Sequence, residues 1–203
     1  MSGRKQFDVT TALDRAMRVF WQHGYAGASL DALGSATGLG RGSLYGAFGN
    51  KDALFRQCLD RYASIYGARH EEALAAHPDD PVRAVEAFFD ATLARIADPT
   101  VPDGCLIAQS AAQSPTLKEA NGAHVRALVD AQRGRVRGAL DGAPADPRVL
   151  DELALYVVAV NQSLAVLSRA GTPEEELRIV VRLACSTLAT SLAHPASQAP
   201  AHS

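Results

Sequence analysis

The sequence predicts an all-α fold of about nine helices, and three observations predict it. Apolar residues recur three and four positions apart through most of the 203 residues. Glycine and proline interrupt that pattern at intervals, and the interruptions carry helix-start chemistry, most clearly at Asp80-Pro81 and Thr172-Pro173-Glu174-Glu175. The expected order is a small three-helix domain over residues 1–52, a larger helical domain over 53–194 and a disordered tail over 195–203.

The first helix is expected from an Asp8 cap, with Val9, Leu13, Ala16, Met17 and Phe20 on one stripe and Gly24 as its end. Trp21 and Tyr25 are expected to pack this domain. Ser29 then caps a second helix whose buried side is Leu30, Leu33 and Ala36. Gly38-Leu39-Gly40 breaks it, with Leu39 pinning the corner. A third helix over residues 41–48 turns Leu44 and Phe48 inward. Arg41, Gly42, Ser43, Tyr45, Gly46 and Ala47 are left outside, a narrow polar face of the kind a major groove about 12 Å wide admits. Asn50 caps a fourth helix with Lys51 in its first turn. A cation there opposes the helix dipole unless a phosphate sits at the same helix end.

These residues resemble the DNA-binding region of TetR-family transcriptional repressors. The small-residue turn Gly38 to Gly40, the pair Leu44-Tyr45, the aromatic Phe48 and the helix-opening Lys51 carry the resemblance, which is clear over residues 9–59 and architectural beyond. It implies that Arg41 and Gly42 face bases while Ser43, Tyr45 and Lys51 hold the phosphate backbone, with Ser29 and Gly46 in the same interface. Bulkier residues are common in the family where this chain has Gly46 and Ala47, which shifts the burden to Arg41, Tyr45 and Lys51. Arg4 and Lys5, in the arm over residues 1–7, are either solvated or placed beside DNA.

Charge supports that end of the chain. Residues 1–56 hold 7 Lys/Arg against 4 Asp/Glu, a net of +3, and the remainder holds 13 against 18, a net of -5. Cys58, Cys105 and Cys185 match neither a metal-ligand spacing nor a disulfide framework, which fits a cytoplasmic setting. No signal peptide and no run of roughly 20 apolar residues is seen, so no membrane partner is expected. No cofactor or metal is expected either.

The fourth helix is expected over residues 51–76, long enough to serve both domains as a lever. A fifth follows Asp80-Pro81 and carries Phe88 and Phe89. A loop over 98–104 precedes a short sixth helix at 105–113, and a seventh is expected to restart at Ser114-Pro115. The eighth, over 148–170, is apolar on more than one side, and the ninth, after Thr172, has a second broad apolar surface. Two such helices joined by a short corner suggest a two-fold homodimer interface, which a palindromic double-stranded operator also requires.

The resemblance further implies an unidentified small-molecule effector in the C-terminal helices, and Phe88, Phe89, Cys105, Gln109, His124, Tyr156, Asn161 and Gln162 are the candidates to line its site. Each polar group among them, like Asn121, either hydrogen-bonds within the core or faces a cavity. Asp103-Gly104-Cys105-Leu106-Ile107 resembles a Gly-Cys-Leu turn in a branch of these repressors, some of which sense electrophiles or oxidants, so Cys105 is either a reactive thiol or an apolar filler. The expected function is a ligand-released, dimeric repressor and not an enzyme. A hydrolase or transferase using Cys105 and His124 would lack an orienting third group. A helical interaction module would leave residues 29–51 without a purpose.

Overall fold

A computed structural model of the chain describes residues 8–193. The arm and tail expected at the two ends lie outside them. The described residues form nine α-helices: α1 (Val9–Gly27), α2 (Leu30–Thr37), α3 (Arg41–Phe48), α4 (Lys51–Ala75), α5 (Pro81–Ile96), α6 (Leu106–Ala112), α7 (Glu119–Ala139), α8 (Pro147–Arg169) and α9 (Glu174–Ala193), with one 3₁₀ turn at Ser114–Thr116.

Side chains satisfy the orphan N–H groups at several helix starts, as short polar residues there should. Asp8 accepts from the Thr10 amide at 3.0 Å, Ser29 Oγ from Ala32 at 3.0 Å, Asn50 Oδ1 from Ala53 at 2.9 Å, Asp80 from Arg83 at 3.0 Å and Asp146 from Arg148 at 2.8 Å. Two boundaries differ from expectation. Gly24 breaks α1 with φ +70, but one helical turn follows it to Gly27. Ser114-Pro115 does not open α7: it makes the 3₁₀ turn, after which Leu117 is extended (φ -82, ψ 154) and α7 starts beyond Lys118, whose carbonyl accepts from Gly122 at 3.0 Å. The reason lies in packing, since Leu117 is drawn against an aromatic core.

By packing, the described chain divides into two compact units, one of residues 8–67 with 100–128, the other of 68–99 with 129–193. This differs from the expected division at residue 52. Leu106 and Val125 are fully buried in the same cluster as Phe20, Trp21, Leu33, Leu44, Phe55 and Tyr62, so α6 and the first half of α7 belong to the N-terminal core. Trp21 meets Tyr62 and Tyr66 edge-on, at centroid distances of 4.8 and 5.5 Å, and its indole N–H donates to the Asp103 carbonyl at 3.2 Å.

In the second unit α5 packs on α8 and α9, and α8 on α9. By length and composition alone α8 could cross a membrane, which corrects the expectation that no such stretch exists. Here Leu150, Ala154, Val157 and Leu164 of α8 are buried among α5 and α9 side chains, and a helix covered on several sides needs this apolar composition.

A polar chain crosses this core. The Thr92 hydroxyl donates to Asn161 Oδ1 at 2.7 Å, which uses its one proton. His70 Nε2, 3.0 Å from Thr92 Oγ1, must therefore carry the hydrogen and donate, and the ring lies 4.5 Å from Phe88. Burial, reinforced by the positive charges of Arg95 and Arg135, pushes the His70 pKa down from 6.5 to about 4. The imidazole is thus neutral in the fold while an unfolded chain would protonate it. Stability present above pH 6.5 is lost as the pH falls toward 4, by on the order of 2 kcal/mol. Thermal melts from pH 7 to 4.5 will show this loss, and His70→Gln will flatten it.

Candidate nucleic-acid interface

The interface starts from a left-handed corner. Gly38 ends α2 at φ +72, and the Thr37 hydroxyl donates back to the Leu33 carbonyl at 2.7 Å while accepting from the Leu39 amide at 3.3 Å. The chain then enters α3 at Gly40, which offers no side-chain cap to the first N–H groups of the helix. Leu44 and Phe48 are buried and anchor the helix.

At about 100° per residue, Gly42 and Gly46 fall roughly 160° around α3 from the Leu44–Phe48 stripe. The outermost ridge of the helix is therefore backbone. A Cβ at either position would meet nothing within 4 Å, so internal packing gives neither glycine a reason. Arg41 and Ser43 are exposed on the flanks with Ala47, and Tyr45 is half-buried. Arg41, the first residue of α3, has no ion-pair partner among the described residues. Ser29 is exposed, its oxygen already engaged as the α2 cap.

Lys51 is resolved differently from expectation. Its ammonium stands over the Tyr25 ring, 4.7 Å from the centroid, so a π face offsets the unfavourable dipole with no phosphate required. Burial holds its pKa below the usual lysine value, against the opposing effect of Asp52. The Tyr25 hydroxyl donates to Asp52 Oδ1 at 2.5 Å. Burial, then this bond, raises the Tyr25 pKa to about 12, while hydrogen bonds from Lys118 and Tyr25 hold Asp52 at about 2. Tyr25 and Asp52 were not anticipated at this site. The acidic residue following Lys51 hinted at it, but its partners lie 27 to 69 residues away.

The candidate effector residues are divided between the two units. Cys105, Gln109 and His124 belong to the first unit; Phe88, Phe89, Tyr156, Asn161 and Gln162 to the second. Cys105 is half-buried at the start of α6 and packs against the aromatic core. Gln109 stands beside Gly24, and His124 Nε2 pairs with Asp60 Oδ1 at 2.7 Å on the surface. Phe88 and Phe89 meet with tilted rings within the second core, Tyr156 packs against it, and Asn161 is used by Thr92. Gln162 donates to Gln132 Oε1 at 2.8 Å, and its own Oε1 is buried without a partner. A groove of about 360 Å³ between Glu71, Leu74, His77, Arg135 and Gly138 contains none of these residues.

Residues 12–58 match the family described as bacterial regulatory proteins, tetR family. The chain is 32% identical over 186 residues to the HTH-type transcriptional repressor ComR of Escherichia coli (strain K12), covering 85% of each chain. The chain belongs to the TetR family. It is also 29% identical over 197 residues to the uncharacterized HTH-type transcriptional regulator YezE of Bacillus subtilis (strain 168), with 93% of this chain and 100% of that one covered. Among solved structures it is similar to the TetR-family regulator CifR, a cysteine-substituted form bound to 26-bp operator DNA. That likeness has a TM-score of 0.78 and 34% identity over 90% of this chain and 97% of that one. This TetR-family protein is a DNA-binding transcriptional regulator whose N-terminal helix-turn-helix is α2 and α3.

The open ridge has a measurable consequence. Glycine costs about 0.8–1 kcal/mol against alanine in a helix interior, so Gly46→Ala will raise the melting temperature of the free protein.

Proposed function

We propose that the protein is a cytoplasmic, dimeric repressor that binds a palindromic operator through α3 and is released by a small molecule bound in its C-terminal helices. The observation that carries the DNA contact is the placement of Arg41 and Lys51 at the N-termini of consecutive helices, α3 and α4. A cation at a positive helix end needs an offsetting group: the Tyr25 ring supplies one for Lys51, Arg41 has no ion-pair partner among the described residues, and a phosphate would favour both. Arg41 and Gly42 face base edges in this reading. Ser29, Ser43, Tyr45 and Lys51 face the backbone, and Gly46 lets the helix come close.

The dimer reading is supported by apolar side chains left in solvent on the last two helices. Leu155 and Val166 of α8 are 53% and 60% exposed, and Ile179 and Leu183 of α9 are 44% and 64% exposed. Each pair is spaced to share one helix face, and a second copy related by a two-fold axis would cover both. The effector reading is supported by Gln162 Oε1, a buried acceptor without a partner, which favours a ligand presenting a hydrogen-bond donor. A ligand that binds the DNA-incompetent arrangement more tightly shifts the population away from DNA.

Lys51→Ala and Tyr45→Phe will weaken binding to operator DNA at moderate salt without lowering the melting temperature, whereas Arg41→Ala will also relax sequence preference. Unchanged affinity in all three, measured by fluorescence anisotropy, would count against the interface. Leu183→Glu will shift the protein to monomer in sedimentation analysis; a dimer that persists would remove the α8 and α9 surface from the proposal.

A further inference from the structure

The hydrogen bonds around Asp52 reach into the interface from behind. Asp52 is the second residue of α4, and its carboxylate, 14% exposed, accepts from the Tyr25 hydroxyl at 2.5 Å, Lys118 Nζ at 2.6 Å and Asn121 Nδ2 at 2.7 Å. Asn121 is fully buried, and its Oδ1 accepts from Arg56 at 2.7 Å. The Tyr25 amide donates to Gln113 Oε1 at 3.3 Å. Residues 113–121 thus hold Tyr25 twice, by its backbone through Gln113 and by its hydroxyl through Asp52.

Tyr25 in turn carries the Lys51 ammonium. A lysine has about 2 kcal/mol of rotamer entropy to lose when it grips an anion. A ring already under the ammonium removes part of that loss before DNA arrives. Lys118, paired with Asp52 at 2.6 Å, offsets the charge that would otherwise repel a phosphate at Lys51.

We propose that Tyr25, Asp52 and Asn121 are positioning residues for operator binding: the corner at residues 113–121 sets, through the Asp52–Tyr25 pair, where Lys51 presents its charge. The inference rests on the phosphate contact assigned to Lys51. None of the three need touch DNA.

The test uses the full chain and a duplex that the wild-type protein selects from a random-sequence pool, with affinity measured across a salt series. Asn121→Ala will lower affinity about tenfold and reduce the salt slope by about 0.9 per subunit, the signature of one lost phosphate contact. Added to Lys51→Ala, it will cost nothing further, because the lysine it positions is gone. Tyr25→Phe keeps the ring but loses the bond to Asp52 through which Asn121 acts, and will show at least the same loss with the same dependence on Lys51. It carries the comparison alone if melting curves show Asn121→Ala to be unfolded.

Equal losses with and without Lys51, at unchanged salt slope, would mean that the network only supports the fold and would overturn the inference. Unchanged affinity would do the same. If the wild type selects no duplex, or Lys51→Ala leaves the slope intact, the DNA contact itself falls and this inference with it.

Discussion

A carboxylate can stay ionised beneath the surface only where donors replace the water it has lost. Asp52 meets that requirement with a phenol from α1 and with an ammonium and an amide from the start of α7. Those donors are remote in sequence, so one partly buried charge fastens three segments together. The aromatic cluster fills the space beside it: Phe20 and Tyr25 pack on Phe55 at centroid distances of 5.1 and 5.0 Å, and Trp21 closes on Tyr62. The helix-turn-helix is consequently no free-standing trio of helices. It shares its core with α6 and half of α7.

On this base α3 is an economical element of eight residues. Leu44 and Phe48 hold it from within, and the opposite ridge is bare backbone. Helix propensity disfavours that choice, and no internal contact offsets it. The stability of α3 therefore comes from its two anchors.

Much of this was legible in the sequence because it is local. The caps at Asp8, Ser29, Asn50 and Asp80, the bounds of α3 and the left-handed corner at Gly38 each depend on residues within a few positions. The start of α7 was misread because Pro115 signals a helix start whether a 3₁₀ turn or an α-helix follows, and the distant core that draws Leu117 inward decides between them. The limit of the first unit was hidden for a related reason: α4 is unbroken from Lys51 to Ala75, so nothing in its composition marks where one core hands over to the other. The Tyr25 platform escaped notice because a lysine and a ring 26 positions apart leave no periodic trace. Among the polar candidates, Asn161 and Asn121 proved to be satisfied by Thr92 and by Arg56 with Asp52, partners no spacing rule could have supplied.

Gly24 shows how far such long-range packing reaches. Its φ of +70 is strained for any L side chain, and a Cβ there would stand 2.6 Å from the Gln113 amide nitrogen, so a substitution must push Gln113 off the Tyr25 backbone. A genetic screen for lost repression would then recover position 24 among its hits. The lesion would act through the Tyr25 backbone and not through a contact of residue 24 itself.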